Sequence, residues 1–409
     1  MPMRLSPSIL PPGGSQAKLK PRRFDESAAR MRDMRRHLMQ LLAPLLVVPA
    51  AAIFVPAGVK DRPWWTVQTS GIDTNLRGVS IAEFMDSHQA PAPVVWASGS
   101  NGVILRSTDG GKTWQRLRVQ GGETLDFRSI HAFDDQKAYV LSSGDGDKSR
   151  IYKTMNGGAT WKLQYTDKRK GFFLDALVCT SQIECRAVGD PIDGKFVILR
   201  TRDGETWEQL PNDQMPAALP DEGAFAASGT CLAIYNDQDI YFVTGGPAAR
   251  VFHSSDGGYT WTVNSTPIAS GNASSGIFSI AVWDKALVIV GGDYKDPERP
   301  YRVAAYSQDA GKTWTLAAQQ PGGFRSVVAW IDGVTLAAAG PNGEDISEDG
   351  GIHWKHTDSL NLNALAILDV SDGWAVGPKG SIALMENRKE YQIRDEREGG
   401  SDAAARQGH

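Results

Sequence analysis

Cysteine is scarce in this 409-residue chain: there are three, with no Cys-x-x-C pair and no haem-attachment sequence. The seven histidines are scattered without ligand spacing, so neither residue type points to a metal or a redox centre. A glycine fingerprint on a strand-to-helix turn is missing too, which removes the usual signal for a dinucleotide. Charge of one sign is not in surplus: 43 Lys and Arg against 47 Asp and Glu leave a formal net charge of -4, whereas a nucleic-acid binder needs a basic excess. The sequence therefore predicts no cofactor, no metal and no nucleic-acid partner.

What is present is a repeat. Ser107-Thr108-Asp109-Gly110-Gly111-Lys112-Thr113-Trp114 returns as Thr154-Met155-Asn156-Gly157-Gly158-Ala159-Thr160-Trp161 and, shortened by one residue, as Thr201-Arg202-Asp203-Gly204-Glu205-Thr206-Trp207. Three further copies centre on Asp256, Asp309 and Asp349 and end in Trp261, Trp314 and Trp354. Successive tryptophans are 47, 46, 54, 53 and 40 residues apart, the period of one four-stranded propeller blade. Each copy reads as a tight turn: the hydroxyl and carboxylate accept backbone N–H bonds and glycine takes the turn angles. The Trp opens the next strand and supplies apolar area between blades. Asp109, Asn156, Asp203, Asp256, Asp309 and Asp349 are accordingly read as turn-makers rather than catalysts.

These are Asp-box, or BNR, repeats, and their arrangement resembles the propellers of bacterial sialidases and, more closely, the photosystem II stability/assembly factor family. In that family a blade reads as a strand, Trp-Ala-Val-Gly, a short loop and a box, as Gly373-Trp374-Ala375-Val376-Gly377-Pro378-Lys379-Gly380 does in part here. The resemblance covers residues 64–386 and implies an all-β fold, a seven-bladed β-propeller. It also implies a noncatalytic protein-binding, assembly or stability role. The strings are similar as well to exported bacterial propellers labelled oxidoreductases, but no motif here supports redox chemistry, and none is carried over.

Blades are expected at 76–120, 121–168, 171–212, 222–267, 275–320, 323–358, and 363–386 joined to 64–70, with six blades the alternative if one repeat is degenerate. The split last blade rests on Trp64-Trp65-Thr66-Val67-Gln68-Thr69-Ser70, an outer-type strand with no box before it, and Ser381-Ile382-Ala383-Leu384-Met385, a strand with no box after it. Pairing the two closes the ring and leaves no open edge.

Outside the ring, residues 1–30 read as an unfolded extension or a misplaced start, with Met31 or Met34 the alternatives, and 387–409 as a polar, disordered tail. Arg35-Arg36-His37 before the apolar run Leu38 to Ala57, ending in Val55-Pro56-Ala57, resembles a secretory signal spanning 31–57. Pro44, Pro49 and Pro56 weaken a spanning helix. The expectation is a periplasmic or secreted protein, with residues 35–57 either cleaved or kept as an anchor. Cys179 and Cys185 flank a five-residue hairpin loop and are expected to form a disulfide in such a compartment.

The face opposite the boxes collects charge beside glycine. Arg77, Arg128, Asp190, Lys195, Glu222, Arg250, Asp293, Tyr294 and Arg325 are the expected binding face. Arg77, Arg128 and Arg325 stand in similar strings, Leu-Arg-Gly, Phe-Arg-Ser and Phe-Arg-Ser, and an arginine cluster suits a carboxylate-bearing partner. That partner is expected to be an extracytoplasmic protein or membrane-complex subunit, or a glycan, met by a monomer. The alternatives are a glycoside hydrolase using Asp190, Glu222, Asp293 and Tyr294, or a carbohydrate-binding propeller in which Tyr294, Phe225, Phe278 and Phe324 stack on sugars. A sialidase reading lacks the Phe/Tyr-Arg-Ile-Pro motif.

Overall fold

A computed structural model of the protein describes residues 65–82, 92–370 and 372–385. The extension, the leader, Trp64, Glu386 and the tail lie outside the described residues.

Seven four-stranded antiparallel sheets follow one another along the chain. They span 76–118, 126–166, 174–209, 232–265, 275–316, 327–358 and, in the seventh, 364–385 joined by Trp65–Gln68. Apart from two three-residue 3-10 turns there is no helix among the described residues, so none is long and apolar enough to cross a membrane. First strands touch first strands all the way round the ring, including Leu76–Ala82 against Ala364–Ile367. The expected seven-bladed propeller is therefore the fold.

Closure is made by the predicted strand exchange. Trp65–Gln68 pairs antiparallel with Ile382–Met385, Trp65 opposite Met385 and Gln68 opposite Ile382, so the outer edge of the last three-stranded sheet is covered. Burial explains why the ring holds. Small sheets have two apolar faces and cannot bury either alone, so each core lies between neighbours: Trp96 and Phe127 between blades 1 and 2, and Leu76 and Trp374 between blades 7 and 1.

The boxes are turns, as read. Ser107 donates to Asp109 while Gly111 N–H binds the Ser107 hydroxyl, and Asp109 accepts from the Thr113 backbone at 2.9 Å and its hydroxyl at 2.6 Å. Gly110 and Gly111 sit at φ +71° and +82°, angles a side chain resists. These bonds pull the Asp109 carboxyl down to about 2. The shortened third copy keeps the pattern through Asp203 and Thr206. In one detail the expectation shifts: each outer strand begins after its Trp, as at Gln115, because the indole leaves the strand line to cover the turn, and Trp261, Trp314 and Trp354 donate to their own box glycine carbonyls. Side chains of one blade also hold the next box. Lys153 donates to Gly204 O at 2.8 Å and Arg186 to Gly257 O at 3.4 Å.

Candidate binding face

The mouth opposite the boxes is built by one local device, a bulge near the start of the inner strand. In blade 1 Leu76 pairs with Gly99 and Gly78 with Ser98, leaving Arg77 as the extra residue. In blade 2 the extra residue is Arg128, in blade 3 Asp175 and in blade 5 Phe278. A bulge bends the strand and re-aims one side chain; repeated round a ring, it sends a chosen residue from each of these blades to the same level.

Arg77, Arg128 and Asp175 form one electrostatic group. Arg128 bonds Asp126 at 2.7 Å and donates to Ala226 O at 2.7 Å. Arg77 has a buried Nε with no partner among the described residues, and burial, then the adjacent Arg128 charge, lower its pKa against the pull of Asp126. Asp175 is fully buried with neither carboxyl oxygen hydrogen-bonded. Burial first, and the neighbouring Asp190 second, raise its pKa well above the carboxylate range. Asp190 rises to about 6 through burial, opposed by the Ala224 N–H it accepts at 3.0 Å. Two such carboxyls cannot both ionise cheaply, so the pair holds a proton.

Four residues of the expected binding face also hold the protein's own 210–231 connection. Arg128 takes Ala226 O and Asp190 takes Ala224 N–H. Lys195 donates to Met215 O. Arg250 forms a two-point ion pair with Glu222 and donates to Ala217 O at 3.0 Å. Glu222 is fully buried in side chain and also accepts from the Thr244 hydroxyl at 2.6 Å. Glu222 and Arg250 are thus not free charges, because a connection this long needs its polar backbone satisfied as it crosses the mouth. Asp190 and Glu222 line one cavity and Asp293 another, so the three do not form the expected cluster of glycosidase carboxyls.

Arg325 is the clearest correction. Its string matches that of Arg128, but Val327 pairs with Ala339, which puts Ser326 where Arg77 stands and Arg325 where Leu76 stands. The backbone agrees: Leu76 N–H binds Gly377 O and Arg325 N–H binds Gly291 O, each in the preceding blade. Arg325 is therefore buried between elements, ion-paired with the equally buried Asp345 and bonded to Asn342.

The aromatics meet one another. Phe225 and Phe278 stack at 3.9 Å between centroids, with Phe324 edge-on to Phe278 at 4.7 Å. Tyr294 packs edge-on at 6.1 Å and stays 47% exposed. Asp293, beside it, caps Lys295 N–H at 2.9 Å and accepts from Asn272 at 3.1 Å. Among the described residues no group of three or more His, Cys, Asp or Glu gathers as a metal site. Cys179 and Cys185 lie opposite one another across the first hairpin of blade 3 and are disulfide-bonded, while Cys231 is a buried free thiol. Asp126 and Asp175 were not singled out from sequence. Aligning the starts of the inner strands, Leu76-Arg77, Phe127-Arg128 and Leu174-Asp175, would have found the second.

A ring of seven meandering sheets with tight turns on one face and bulge-aimed side chains on the other defines a seven-bladed β-propeller. Residues 88–335, more than half of the chain, match the family described as DUF6242 beta propeller domain, and the protein belongs to that family. Among curated proteins it is similar to the photosystem II stability/assembly factor HCF136, chloroplastic, of Oryza sativa subsp. japonica, 40% identical over 48 residues that make up 12% of each chain. It is also similar to vacuolar protein sorting/targeting protein 10 of Mycosarcoma maydis, 25% identical over 125 residues, 31% of this chain and 7% of that one. The aligned stretches therefore span only a small part of these relatives. Of solved structures, YCF48 bound to D1 peptide superposes with a TM-score of 0.58 at 15% identity, covering 82% of this chain and 99% of that one. YCF48 from Cyanidioschyzon merolae gives 0.56 at 17%, covering 79% and 98%. The expected resemblance to the assembly-factor propellers thus holds at the level of fold.

Proposed function

We propose that the protein is a noncatalytic propeller that binds a segment of a partner protein at the mouth opposite the boxes, as an assembly or stability factor. The observation that carries this is the paired bulge placing Arg77 and Arg128 side by side, with the Arg77 Nε buried and unpartnered. Arg128 is already held by Asp126 and Ala226 O, so the unmet charge is that of Arg77, and a partner carboxylate beside it offsets the repulsion from Arg128. A peptide carboxylate, from a chain terminus or an acidic side chain, fits that chemistry. The solved propeller of like fold that carries a bound peptide supports the reading. The enzyme alternative has less in its favour, since Glu222 is committed to Arg250 and Asp190 to Ala224. We further propose a location outside the cytoplasm, a reading supported by the Cys179–Cys185 bond and the signal-like run Leu38 to Ala57.

The test is fluorescence anisotropy with a library of short peptides ending in a free carboxylate or an amide, against the wild type and the Arg77→Ala, Arg128→Ala double variant. The free-carboxylate peptides that bind wild type should weaken by about tenfold or more in the variant, as expected for loss of charge-assisted bonds. Equal binding by both proteins, or no preference for the free carboxylate, would sink the assignment.

A further inference from the structure

Away from the axis, two loops of blades 4 and 5 enclose a cavity of about 230 Å³ lined by Ser270, Asn272, Asp293, Arg299, Tyr301 and Arg302, among others. One loop joins the blades and the other joins the second and third strands of blade 5. They are tied by Ala269 N–H on Arg302 O at 2.9 Å, Tyr294 N–H on Ser274 O at 3.2 Å, and Asn272 on Asp293 at 3.1 Å.

Three features of this cavity are unexplained by the fold. Arg302 holds φ at +53°, a left-handed conformation that is unfavourable for a non-glycine residue and is retained where something else requires it. Its Nε is buried with no hydrogen-bond partner. Arg299, on the same loop, lies over the Tyr301 ring at 4.8 Å, and among the described residues neither arginine has an acidic partner. Elsewhere in the protein Arg128, Arg186, Arg250 and Arg325 are ion-paired, and only Arg77 and Arg106 share with Arg302 a buried Nε without a partner and no acidic partner among the described residues.

We propose that this cavity is a binding site for a small hydroxylated carboxylate of the uronic-acid class. The carboxylate meets Arg302 and Arg299, whose forked donors match its two oxygens. Asp293 and Asn272, an acceptor and a donor held side by side by their own bond, meet neighbouring hydroxyls. The volume lies below the ~300–1,000 Å³ of drug-sized pockets, so the occupant is one monosaccharide or the end residue of a chain. A bare anion would leave the Asp293 side unused and would face its negative charge. The site shares no residue with the Arg77 and Arg128 mouth and stands independently of the peptide reading.

The experiment is calorimetric titration of the full chain with D-glucuronate, D-glucose, acetate and inorganic phosphate. Arg302→Gly and Arg299→Ala are run beside wild type. Glycine accepts the left-handed angle, so Arg302→Gly removes the guanidinium without endangering the fold, and Arg299 is exposed. Glucuronate should bind, glucose and acetate should bind at least about tenfold more weakly, and each variant should lose about tenfold in glucuronate affinity. Absence of glucuronate binding, acetate or phosphate binding as well as glucuronate, or unchanged affinity in both variants would overturn the proposal. So would equal loss in the Arg77→Ala, Arg128→Ala protein, which would move the site to the mouth.

Discussion

Trp65 donates its indole N–H to Oε1 of Glu344 at 2.6 Å, across 279 residues of sequence. The bond joins the strand that closes blade 7 to the third strand of blade 6, so ring closure is held by a side chain as well as by the Trp65–Met385 pairing. Burial pushes the Glu344 carboxyl up to about 8, against the bonds from Trp65 and Thr357. It is protonated in the folded protein at neutral pH.

The first expectation concerns pH. A carboxyl with a raised folded pKa binds more protons folded than unfolded between its two values, so stability is greatest below the unfolded value and declines as pH climbs through the folded one. For Glu344 that window runs from 4.5 to about 8 and for Asp190 from 3.8 to about 6. Thermal melts should therefore fall from pH 6.5 to 8, above the range in which His131, lowered by burial from 6.5 to about 4, contributes the opposite slope. In Glu344→Gln the decline above pH 6 should flatten. A wild-type melting temperature that rises from pH 6.5 to 8 would contradict the burial of Glu344.

Replacing Trp65 with Phe keeps most of the apolar area but removes the donor. The loss should be about 1–2 kcal/mol, since Glu344 keeps only Thr357 among the partners described here. Urea unfolding at pH 6 measures it, and a loss below the error would mean that Glu344 finds water instead.

Arg325→Ala should be far more damaging than Arg128→Ala, although both sit in a Phe-Arg-Ser string. Removing Arg325 strands the buried Asp345 without its cation, a change worth about 3–5 kcal/mol. Arg128 and Asp126 are each about a quarter exposed, and partly exposed pairs contribute on the order of 1 kcal/mol or less. Similar unfolding midpoints for the two variants would refute the register argument.

Reducing Cys179–Cys185 should cost little. The bond closes a separation of six residues, so the entropy it removes from the unfolded chain is worth about 2 kcal/mol at most, and the hairpin already pairs these positions. A melt with and without reductant should differ by a few degrees. Collapse of the fold on reduction would show that the bond does more than close its hairpin.

The period of the boxes, the Trp at each turn and the two orphan strands at the ends were enough to read seven blades and their closure from sequence. Box turns are local: Ser107, Asp109, Gly111 and Thr113 satisfy one another within seven residues, so their chemistry is written in adjacent letters. The side chains of the binding face were legible only as a set of charged residues near glycines. Whether each is free depends on partners far along the chain, as Glu222 depends on Arg250 and Arg128 on Ala226. Arg128 and Arg325 share a string and part ways by one residue of register: Arg128 is the extra residue of its inner strand and turns to the mouth, whereas Arg325 stands one place earlier, in the space between elements. Local sequence determined the turns and the blade count. Register and ring closure decided which charges face a partner and which hold the protein together.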